Sequence, residues 1–412
     1  MDEVSALALA ETYDTPLYVI SENEVEEKYN LLNSFLSRNF DSYRILYSAK
    51  ANTSLSVLKI MEGLGAYIDA VSPGEVYLAM ESGFTPERIL FTGTMVRDDE
   101  LEFVVKRRVP INVDSISELL RLLKFDVPEF LSVRINPEFG AGHHEHVITA
   151  GRESKFGIWE KDAVEAYAKA KKAGVKEFGI HMHIGSGILY VEPYVQALDK
   201  LLEVAKTIRE ELNIVFEVID VGGGLGVPYK PEEKALDLDL LFKKLSELFK
   251  RKVERYGLGE PVFAIEPGRF LVCEAGVLLT RVNTVEEKPY KKFVGVDAGF
   301  NTLIRPAMYG SYHPIVVANK MRRPLKEVYT IAGPPCESAD LLAKNRLLPE
   351  VEEADLIAML NAGAYGSSMS SQYNSRPRAA EILVKDGRHE LIRHRETLES
   401  LKYGQSIASW LK

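Results

Sequence analysis

The sequence predicts a (β/α)8 barrel followed by a smaller, mainly β domain. From residue 22 to about residue 270, short apolar runs typical of strands alternate with amphipathic stretches typical of helices, and eight strand candidates can be counted. After residue 270 the pattern changes to strand-rich segments with few long helices. An open doubly wound sheet is the alternative for the first part, because that fold produces the same alternation.

The predicted barrel elements have identifiable starts and ends. Capping boxes at Ser21 with Glu24 and at Ser115 with Glu118 predict the beginnings of two helices. A further helix is expected over residues 55–64, because a glycine follows it. The eight strand candidates begin near Tyr43, Tyr67, Ile89, Ile111, Leu131, Phe178, Val215 and Val262.

We therefore expect two domains, a barrel of residues 22–270 and a β domain of residues 1–21 and 271–412. The short apolar run Leu17-Tyr18-Val19-Ile20 is assigned to the β domain as its N-terminal strand. Asp386-Gly387 separates two alternating runs, which predicts a tight hairpin near the C-terminus.

Composition and charge exclude several classes of protein. The 412 residues include 51 basic and 60 acidic ones, and no long basic run suggests a nucleic-acid surface. No apolar run approaches the roughly 18 residues that cross a membrane, and the acidic N-terminus Met1-Asp2-Glu3-Val4 does not resemble a secretory signal. Two cysteines, Cys273 and Cys336, are too few for a disulfide framework, so we expect a cytoplasmic protein.

Polar residues follow several predicted strands, at the barrel end where active sites lie. Lys50 comes after the first strand, where partial desolvation would favour Schiff-base chemistry, although a solvated loop is the commoner setting for a lysine. His181 and His183 end the sixth strand and share one face. Because no third ligand lies at a suitable spacing, we expect them to line a cavity rather than to bind a metal.

Two other motifs follow the last strands. Gly222-Gly223-Gly224 ends the seventh strand, and its backbone amides could approach an anion closely. Pro228 follows too soon for the helix of a dinucleotide-binding site. Glu266 and Arg269 follow the eighth strand, in a region where barrels often bind phosphate; a local ion pair between these two residues is the alternative.

A single cofactor accounts for this set of residues. Pyridoxal phosphate needs a lysine for an imine, an anion site, an acid for its ring nitrogen and a group that covers the ring. These needs are met by Lys50, the three glycines with Arg269, Glu266 and His183. The long stretch with His143, His144 and His146 predicts a lid rather than a metal centre.

The chain resembles the fold-type III pyridoxal-phosphate decarboxylases over nearly its whole length. The shared motifs are Tyr47-Ser48-Ala49-Lys50-Ala51-Asn52, His183-Ile184-Gly185-Ser186, Gly222-Gly223-Gly224, Glu266-Pro267-Gly268-Arg269, Arg305-Pro306-Ala307-Met308-Tyr309, Cys336-Glu337-Ser338, Ala364-Tyr365-Gly366 and Asn374-Ser375-Arg376-Pro377-Arg378. Three positions depart from the family pattern, namely Pro73, Ala339 and Gln372. Ala339 replaces a glycine, which would matter if that position needed a positive φ.

The resemblance implies a role for each motif. Lys50 would bind the cofactor covalently, Glu266 would pair with its ring nitrogen, and Cys336 would donate a proton in the active site of the partner subunit of a homodimer. The cofactor-binding residues that the resemblance implies are Lys50, His183, Ser186, Gly222, Gly223, Gly224, Glu266, Gly268, Arg269 and Tyr365. Those implied for the substrate are Arg269, Arg305, Tyr309, Glu337 and Tyr365.

The implied reaction is α-decarboxylation of an amino acid, and charges at the substrate's far end favour meso-diaminopimelate. Its distal ammonium matches Glu337, and its distal carboxylate matches Arg305 and Tyr309. Ornithine or lysine would leave Arg305 without a carboxylate, which is costly in a closed site. A structural ion pair is the alternative for Arg305.

Other activities remain open at this point. D-ornithine, D-lysine or ornithine could be the substrate of a related decarboxylase. A racemase on the same barrel would pair the ring nitrogen with an arginine, so Glu266 favours decarboxylation. A cofactor-homeostasis protein would consist of one barrel and lack the β domain.

Overall fold

The structure is a computed structural model that describes residues 1–140, 150, 151 and 154–411. The predicted lid around His143, His144 and His146 lies outside the described residues. No helix in the described part of the chain is long and apolar enough to cross a bilayer.

Eighteen strands run through the described residues. They are β1 (Leu17–Ser21), β2 (Tyr43–Ser48), β3 (Tyr67–Ala70), β4 (Ile89–Phe91), β5 (Ile111–Val113), β6 (Phe130–Asn136), β7 (Ile158–Trp159), β8 (Glu177–His181), β9 (Val218–Asp220), β10 (Val262–Ile265), β11 (Gly276–Lys288), β12 (Lys291–Val296), β13 (Ile315–Val317), β14 (Glu327–Ala332), β15 (Leu341–Leu348), β16 (Leu356–Met359), β17 (Ala380–Lys385) and β18 (Arg388–Arg393).

Eleven α-helices are present in the same residues. They are α1 (Ala6–Tyr13), α2 (Glu22–Asn39), α3 (Leu55–Gly63), α4 (Pro73–Glu81), α5 (Asp98–Val105), α6 (Ile116–Phe125), α7 (Glu160–Ala173), α8 (Glu192–Leu212), α9 (Leu238–Tyr256), α10 (Arg269–Val272) and α11 (Arg305–Tyr309).

The chain divides into two units. The larger unit contains Glu26–Pro228 and Glu233–Leu271, and the smaller one contains Met1–Val25, Tyr229–Glu232 and Val272–Lys412. Nothing in the sequence pattern indicated that Tyr229–Glu232 would group with the smaller unit.

The larger unit is a closed parallel barrel, as predicted, and not an open doubly wound sheet. Its eight strands pair in the order β5-β4-β3-β2-β10-β9-β8-β6, and pairing of β5 with β6 closes the ring. The seventh barrel strand begins at Val218 instead of near Val215. The amide of Phe216 donates to the carbonyl of Leu258, outside the barrel ladder, so the preceding residues do not extend the strand.

Side-chain caps fix the predicted helix starts. The Glu24 amide donates to Ser21 Oγ at 3.0 Å, and the Glu118 amide donates to Ser115 Oγ at 3.1 Å. Both capping predictions are therefore confirmed. Pro73, one of the departures from the family pattern, occupies the first turn of α4, where its missing N–H costs nothing.

The smaller unit is a sheet-rich structure that includes the N-terminal strand. β1 pairs antiparallel with β11 and parallel with β17, so it lies between two strands from the far end of the chain. The predicted hairpin is confirmed. Asp386 and Gly387 connect β17 to β18 with φ values of 48° and 76°, the left-handed conformation that a tight two-residue turn requires.

A close backbone approach in the smaller unit yields a stability prediction. A Cβ on Gly276 would lie 2.1 Å from Gly363 Cα, whereas a Cβ on Gly295 would meet Thr284 at an ordinary 3.5 Å. We expect Gly276→Ala to lower the free energy of unfolding by about 1–3 kcal/mol through overpacking. The matched strand variant Gly295→Ala should change it by less than about 0.5 kcal/mol. Urea denaturation measures both, and equal losses would contradict the steric explanation.

Candidate active site

The barrel interior changes from apolar to polar along its strands. Leu46, Leu90, Val218 and Ala264 form one buried apolar cluster. Two residues further along each strand, on the same face because the side-chain period is two, stand polar residues. These are Ser48, Thr92, Asp220 and Glu266, all of them buried. The C-terminal end of the barrel therefore carries a polar layer directly above an apolar one.

Lys50 and Asp69 form an ion pair in this layer. Lys50 lies in a short 3-10 turn, Ala49–Ala51, directly after β2, and its Nζ is 2.6 Å from Asp69 Oδ2. The lysine side chain is 35% exposed and the aspartate is fully buried. The lysine side chain is thus partly exposed while its counter-ion is held inside the barrel.

Three groups keep Asp69 ionised. Burial by itself would raise the pKa of Asp69, but the Lys50 ammonium and hydrogen bonds from Lys50, Thr92 and Ser48 lower that pKa to about 2. Asp69 was not among the site residues predicted from the sequence. Its signal was available, since an aspartate at the end of a short apolar strand is a buried charge that needs a partner.

Glu266 lies in a second polar group, with His181 and Asp220. His181 Nε2 is 3.1 Å from Glu266 Oε2, and ligand atoms of all three residues lie within 4.8 Å of one another. Among the described residues, the buried Oε1 of Glu266 has no hydrogen-bond partner. A buried acceptor is rarely left without a partner, so this oxygen is positioned to bind a donor supplied by a ligand.

Histidine, aspartate and glutamate are residue types that bind metals. The sequence spacing of His181, Asp220 and Glu266 did not indicate that they lie together. Two observations favour a different role. Asp220 Oδ1 accepts the Gly222 amide at 2.8 Å. Burial, followed by the nearby charge of Glu266, raises the pKa of Asp220 well above its usual range, which favours the protonated acid over a ligating carboxylate. The expectation that the protein binds no metal stays a prediction.

His183 supplies an uncharged ring. Its Nδ1 accepts the Gly223 amide at 2.9 Å, which leaves Nε2 as the protonated nitrogen of the neutral ring. Burial, together with the positive charges of Arg134 and Lys50, lowers the pKa of His183 well below its ordinary value. A neutral imidazole can stack on an aromatic ligand without the cost of burying a charge.

The glycine run is required by close packing of the strand ends. Gly222 and Gly224 have φ values of 70° and 101°, and a Cβ on Gly223 would lie 2.1 Å from the Glu266 carbonyl oxygen. Only glycine fits these contacts. Besides the anion-binding role predicted from sequence, the run therefore lets the chain after β9 approach the Glu266 backbone.

Arg269 connects two of the predicted loops. Its Nη2 donates to Ser186 Oγ at 3.0 Å, and only 3% of its surface is exposed. Gly268, just before it, allows this loop to contact Ser48, because a Cβ there would lie 3.0 Å from Ser48 Cβ. The loops after the sixth and eighth barrel strands thus meet through one buried guanidinium.

In the smaller unit, Arg305 is buried among aromatic rings. Its Cζ lies 5.4 Å from the Tyr309 ring centre, 5.5 Å from that of Tyr365 and 6.0 Å from that of Tyr229. Its Nη2 also donates to Ser311 Oγ at 3.3 Å. Tyr229 was not predicted as a partner of Arg305, because it lies more than 70 positions away in the sequence, among prolines typical of a connecting loop.

Cys336 and Glu337 are adjacent and both are exposed. The Cys336 amide donates to Asn374 Oδ1 at 3.0 Å, and Tyr373 Oη donates to Glu337 Oε1 at 2.5 Å. The nearby Ala339 does not have a positive φ, so this departure from the family pattern requires no left-handed backbone. A thiol and a carboxylate are therefore adjacent on one exposed loop.

The residues of the larger unit fit pyridoxal phosphate. Lys50 offers an amine beside a buried counter-ion, Glu266 offers a buried oxygen for a protonated ring nitrogen, and His183 offers a neutral ring. Arg269, with the glycine run, supplies the donor types that bind a phosphate.

Comparison with known proteins agrees with this chemistry. A family model described as "pyridoxal-dependent decarboxylase, pyridoxal binding domain" matches residues 22–273. The chain is 52% identical to the diaminopimelate decarboxylase of Methanothermobacter thermautotrophicus, over 98% of this chain and 95% of that protein. It is 43% identical to the Archaeoglobus fulgidus enzyme of the same name, over 96% and 94%.

A solved structure leads to the same family. The crystal structure of diaminopimelate decarboxylase from M. jannaschii in complex with L-lysine aligns with a TM-score of 0.90 and 33% identity, covering 99% of this chain and 95% of that one. Because the family model matches more than half of the chain, and the relatives and the solved structure cover nearly all of it, the chain belongs to the pyridoxal-dependent decarboxylases, in the family of the diaminopimelate decarboxylases.

Proposed function

We propose that the protein uses pyridoxal phosphate to decarboxylate meso-diaminopimelate to L-lysine and CO2. The observation that carries this proposal is the polar layer of the barrel, where a lysine–aspartate pair and a buried acid with an unpartnered oxygen occur together among the described residues. A racemase would need an arginine where Glu266 stands.

The chain's own residues would position the cofactor. Lys50 would hold it covalently, and Glu266 would keep its ring nitrogen protonated through Oε1. His183 would cover the ring, while Ser186, Gly268 and Tyr365 would assist. The phosphate would be bound by Gly222, Gly223, Gly224 and Arg269. When bound, the cofactor supplies a conjugated system that accepts the charge left at Cα by departing CO2.

Asp69 would act on Lys50. Because the pKa of Asp69 is lowered to about 2, its carboxylate is ionised at neutral pH and holds the Lys50 ammonium at the end of β2 whenever that amine is not covalently engaged. This placement keeps the amine ready to return after each turnover. The ion pair also restricts the conformations of the Lys50 side chain, because a free lysine side chain carries about 2 kcal/mol of rotamer entropy.

Each charged group at the substrate's distal end would be bound by a residue of the opposite charge. Arg305, with Tyr309 and Arg269, would bind the distal carboxylate, and Glu337 would bind the distal ammonium. The three aromatic rings around Arg305 support this assignment, because they exclude water and strengthen a charge-assisted hydrogen bond. Tyr365 would contribute to substrate as well as cofactor binding.

Protonation at Cα would come from the Cys336 thiol of the partner subunit in a homodimer. Two observations support a dimer: Cys336 lies on an exposed loop, and the C-terminal segment exposes Tyr403 to 94% and Trp410 to 84%. A contiguous patch of exposed apolar side chains commonly marks an interface. A second copy of the chain would cover them.

Two broader assignments complete the proposal. We assign residues 22–270 to the cofactor-binding barrel domain and residues 1–21 with 271–412 to the β domain. We also propose a cytoplasmic location, since Cys273 and Cys336 remain thiols, as a reducing compartment favours.

Lys50→Ala is expected to abolish decarboxylation and to remove the yellow absorbance of the bound cofactor, because it deletes the amine of the covalent link. Absorbance spectra of the purified protein measure the second effect. Lys59→Ala is the matched control, since Lys59 pairs with Glu62 at 2.8 Å and is 64% exposed. An unchanged spectrum for Lys50→Ala would reject this assignment.

Arg305→Ala should reduce kcat/KM for meso-diaminopimelate by about 100-fold, because the distal carboxylate loses its charged partner. Any weak turnover of lysine or ornithine should change far less, since neither molecule has that carboxylate. CO2 release from each substrate measures the difference. The substrate assignment is wrong if all three activities fall by the same factor.

Mixing Lys50→Ala and Cys336→Ala proteins tests the shared site. In a statistical mixture half of the dimers are mixed and each has one intact site, so activity should recover to about a quarter of the wild-type value. Each variant alone should remain inactive. Absence of recovery, with subunit exchange verified by mass spectrometry, would show that the sites are not shared.

A further inference from the structure

We infer that Tyr373 and Asn374 are positioning residues that hold Cys336 and Glu337 in place for the reaction. The inference rests on the roles proposed above for the thiol and the carboxylate. It is based on two hydrogen bonds. Asn374 Oδ1 accepts the Cys336 amide at 3.0 Å, and Tyr373 Oη donates to Glu337 Oε1 at 2.5 Å. We call the segment Tyr373–Ser375 the latch.

The latch and the loop that carries Cys336 both contact the same short segment, residues 299–301, which we call the platform. Asp340, at the end of the loop, accepts the Phe300 amide through Oδ1 at 2.7 Å. Just before the latch, the Ser371 amide donates to the Asn301 carbonyl at 2.8 Å. The Phe300 ring also lies 5.3 Å from the Tyr373 ring. Loop and latch are thus held at a set separation by two neighbouring residues.

Close backbone packing prevents the loop from drifting away from this platform. A Cβ on Gly299 would lie 2.4 Å from Pro335 Cδ, and a Cβ on Gly333 would lie 2.4 Å from Gly299 Cα. The loop therefore lies directly against the platform backbone on the side before Cys336. On the side after it, Asp340 provides the second fixed point.

The latch backbone adopts an unusual conformation that its contacts maintain. Asn374 and Ser375 are consecutive non-glycine residues with φ values of 55° and 54°. Asparagine enters this left-handed region more readily than other residues, and serine does so at a cost. Such backbone persists where surrounding contacts over-determine it, commonly at functional sites. Here it directs Oδ1 of Asn374 to the Cys336 amide.

The chemistry explains why an exposed loop needs this restraint. Proton transfer from a thiol is efficient only when the sulfur is held close to the receiving carbon. Charge recognition by Glu337 likewise requires a fixed carboxylate orientation. The Tyr373 hydroxyl donates to that carboxylate and leaves its second oxygen for a substrate ammonium, while Asn374 restrains the backbone that carries the thiol.

Amide hydrogen exchange at Cys336 tests the backbone contact in the full-length holoenzyme. Pro334 and Pro335 have no amide proton, so the Cys336 amide can be isolated in a peptide that begins at either proline. Asn374→Gly, which tolerates the same φ, should speed its exchange about three- to tenfold, the factor expected from loss of one hydrogen bond. Asn374→Asp keeps the acceptor and should restore slow exchange. Ser375→Gly relieves backbone strain alone and should leave the rate unchanged.

Steady-state kinetics test the positioning role. Asn374→Gly should lower kcat about three- to tenfold with little change in KM, because it loosens the proton donor. Tyr373→Phe should raise KM for meso-diaminopimelate about tenfold and leave kcat nearly unchanged, because it releases the Glu337 carboxylate. Tyr290→Phe, at a residue 95% exposed, is the control and should match the wild type.

Amide exchange and kinetics of the variants test the latch, whereas the activity of the wild-type enzyme tests the proposed function. Unchanged exchange in Asn374→Gly overturns the backbone contact, and faster exchange with unaltered kinetics overturns the positioning role. A wild-type enzyme that does not decarboxylate meso-diaminopimelate refutes the proposed function, and exchange at Cys336 still decides whether the latch restrains the loop. Equal effects of both latch variants on kcat and KM would contradict the division of roles.

Discussion

Parallel pairing of neighbouring barrel strands is the constraint on which the cofactor chemistry depends. Lys50 follows β2, Asp69 is the penultimate residue of β3 and Thr92 follows β4, so the buried ion pair draws on three neighbouring strands. A buried aspartate that lacked the hydrogen-bond donors supplied by neighbouring strands would not stay ionised. The 2.6 Å contact is therefore a consequence of strand pairing and not of local sequence.

The barrel separates packing from chemistry by the alternation of its strands. One layer of inward-facing residues is apolar and packs the core, and the next layer is polar and lies at the C-terminal ends of the strands. Because each polar residue stands two positions after an apolar one, stability of the lower layer fixes the geometry of the upper one. The glycine run then lets backbone approach Glu266 where a side chain could not fit.

The smaller unit places its polar residues in two different environments. Arg305 is buried among aromatic rings, which holds its guanidinium in one orientation. Cys336 and Glu337 instead stand on an exposed loop, and its order comes from contacts with a second exposed segment. A rigid charge inside the unit suits the role proposed for Arg305, which is to bind the distal carboxylate. A restrained pair at the surface suits the roles proposed for Glu337, which would bind the distal ammonium, and for Cys336, which would deliver a proton.

The sequence by itself determined the alternation of strands and helices, the N-terminal strand of the β unit and the terminal hairpin, because side-chain periodicity and turn chemistry are local properties. Whether the alternating strands closed into a barrel was decided by the pairing of β5 with β6, which is a tertiary contact. It also indicated Lys50, His183, the glycine run and Glu266, since each follows a recognisable strand. Only the tertiary structure revealed Asp69 beside Lys50, Asp220 and His181 beside Glu266, Tyr229 beside Arg305, and the latch beside Cys336. These partners come from distant parts of the chain, and which of them meet is decided by strand order and loop packing, which no local pattern records.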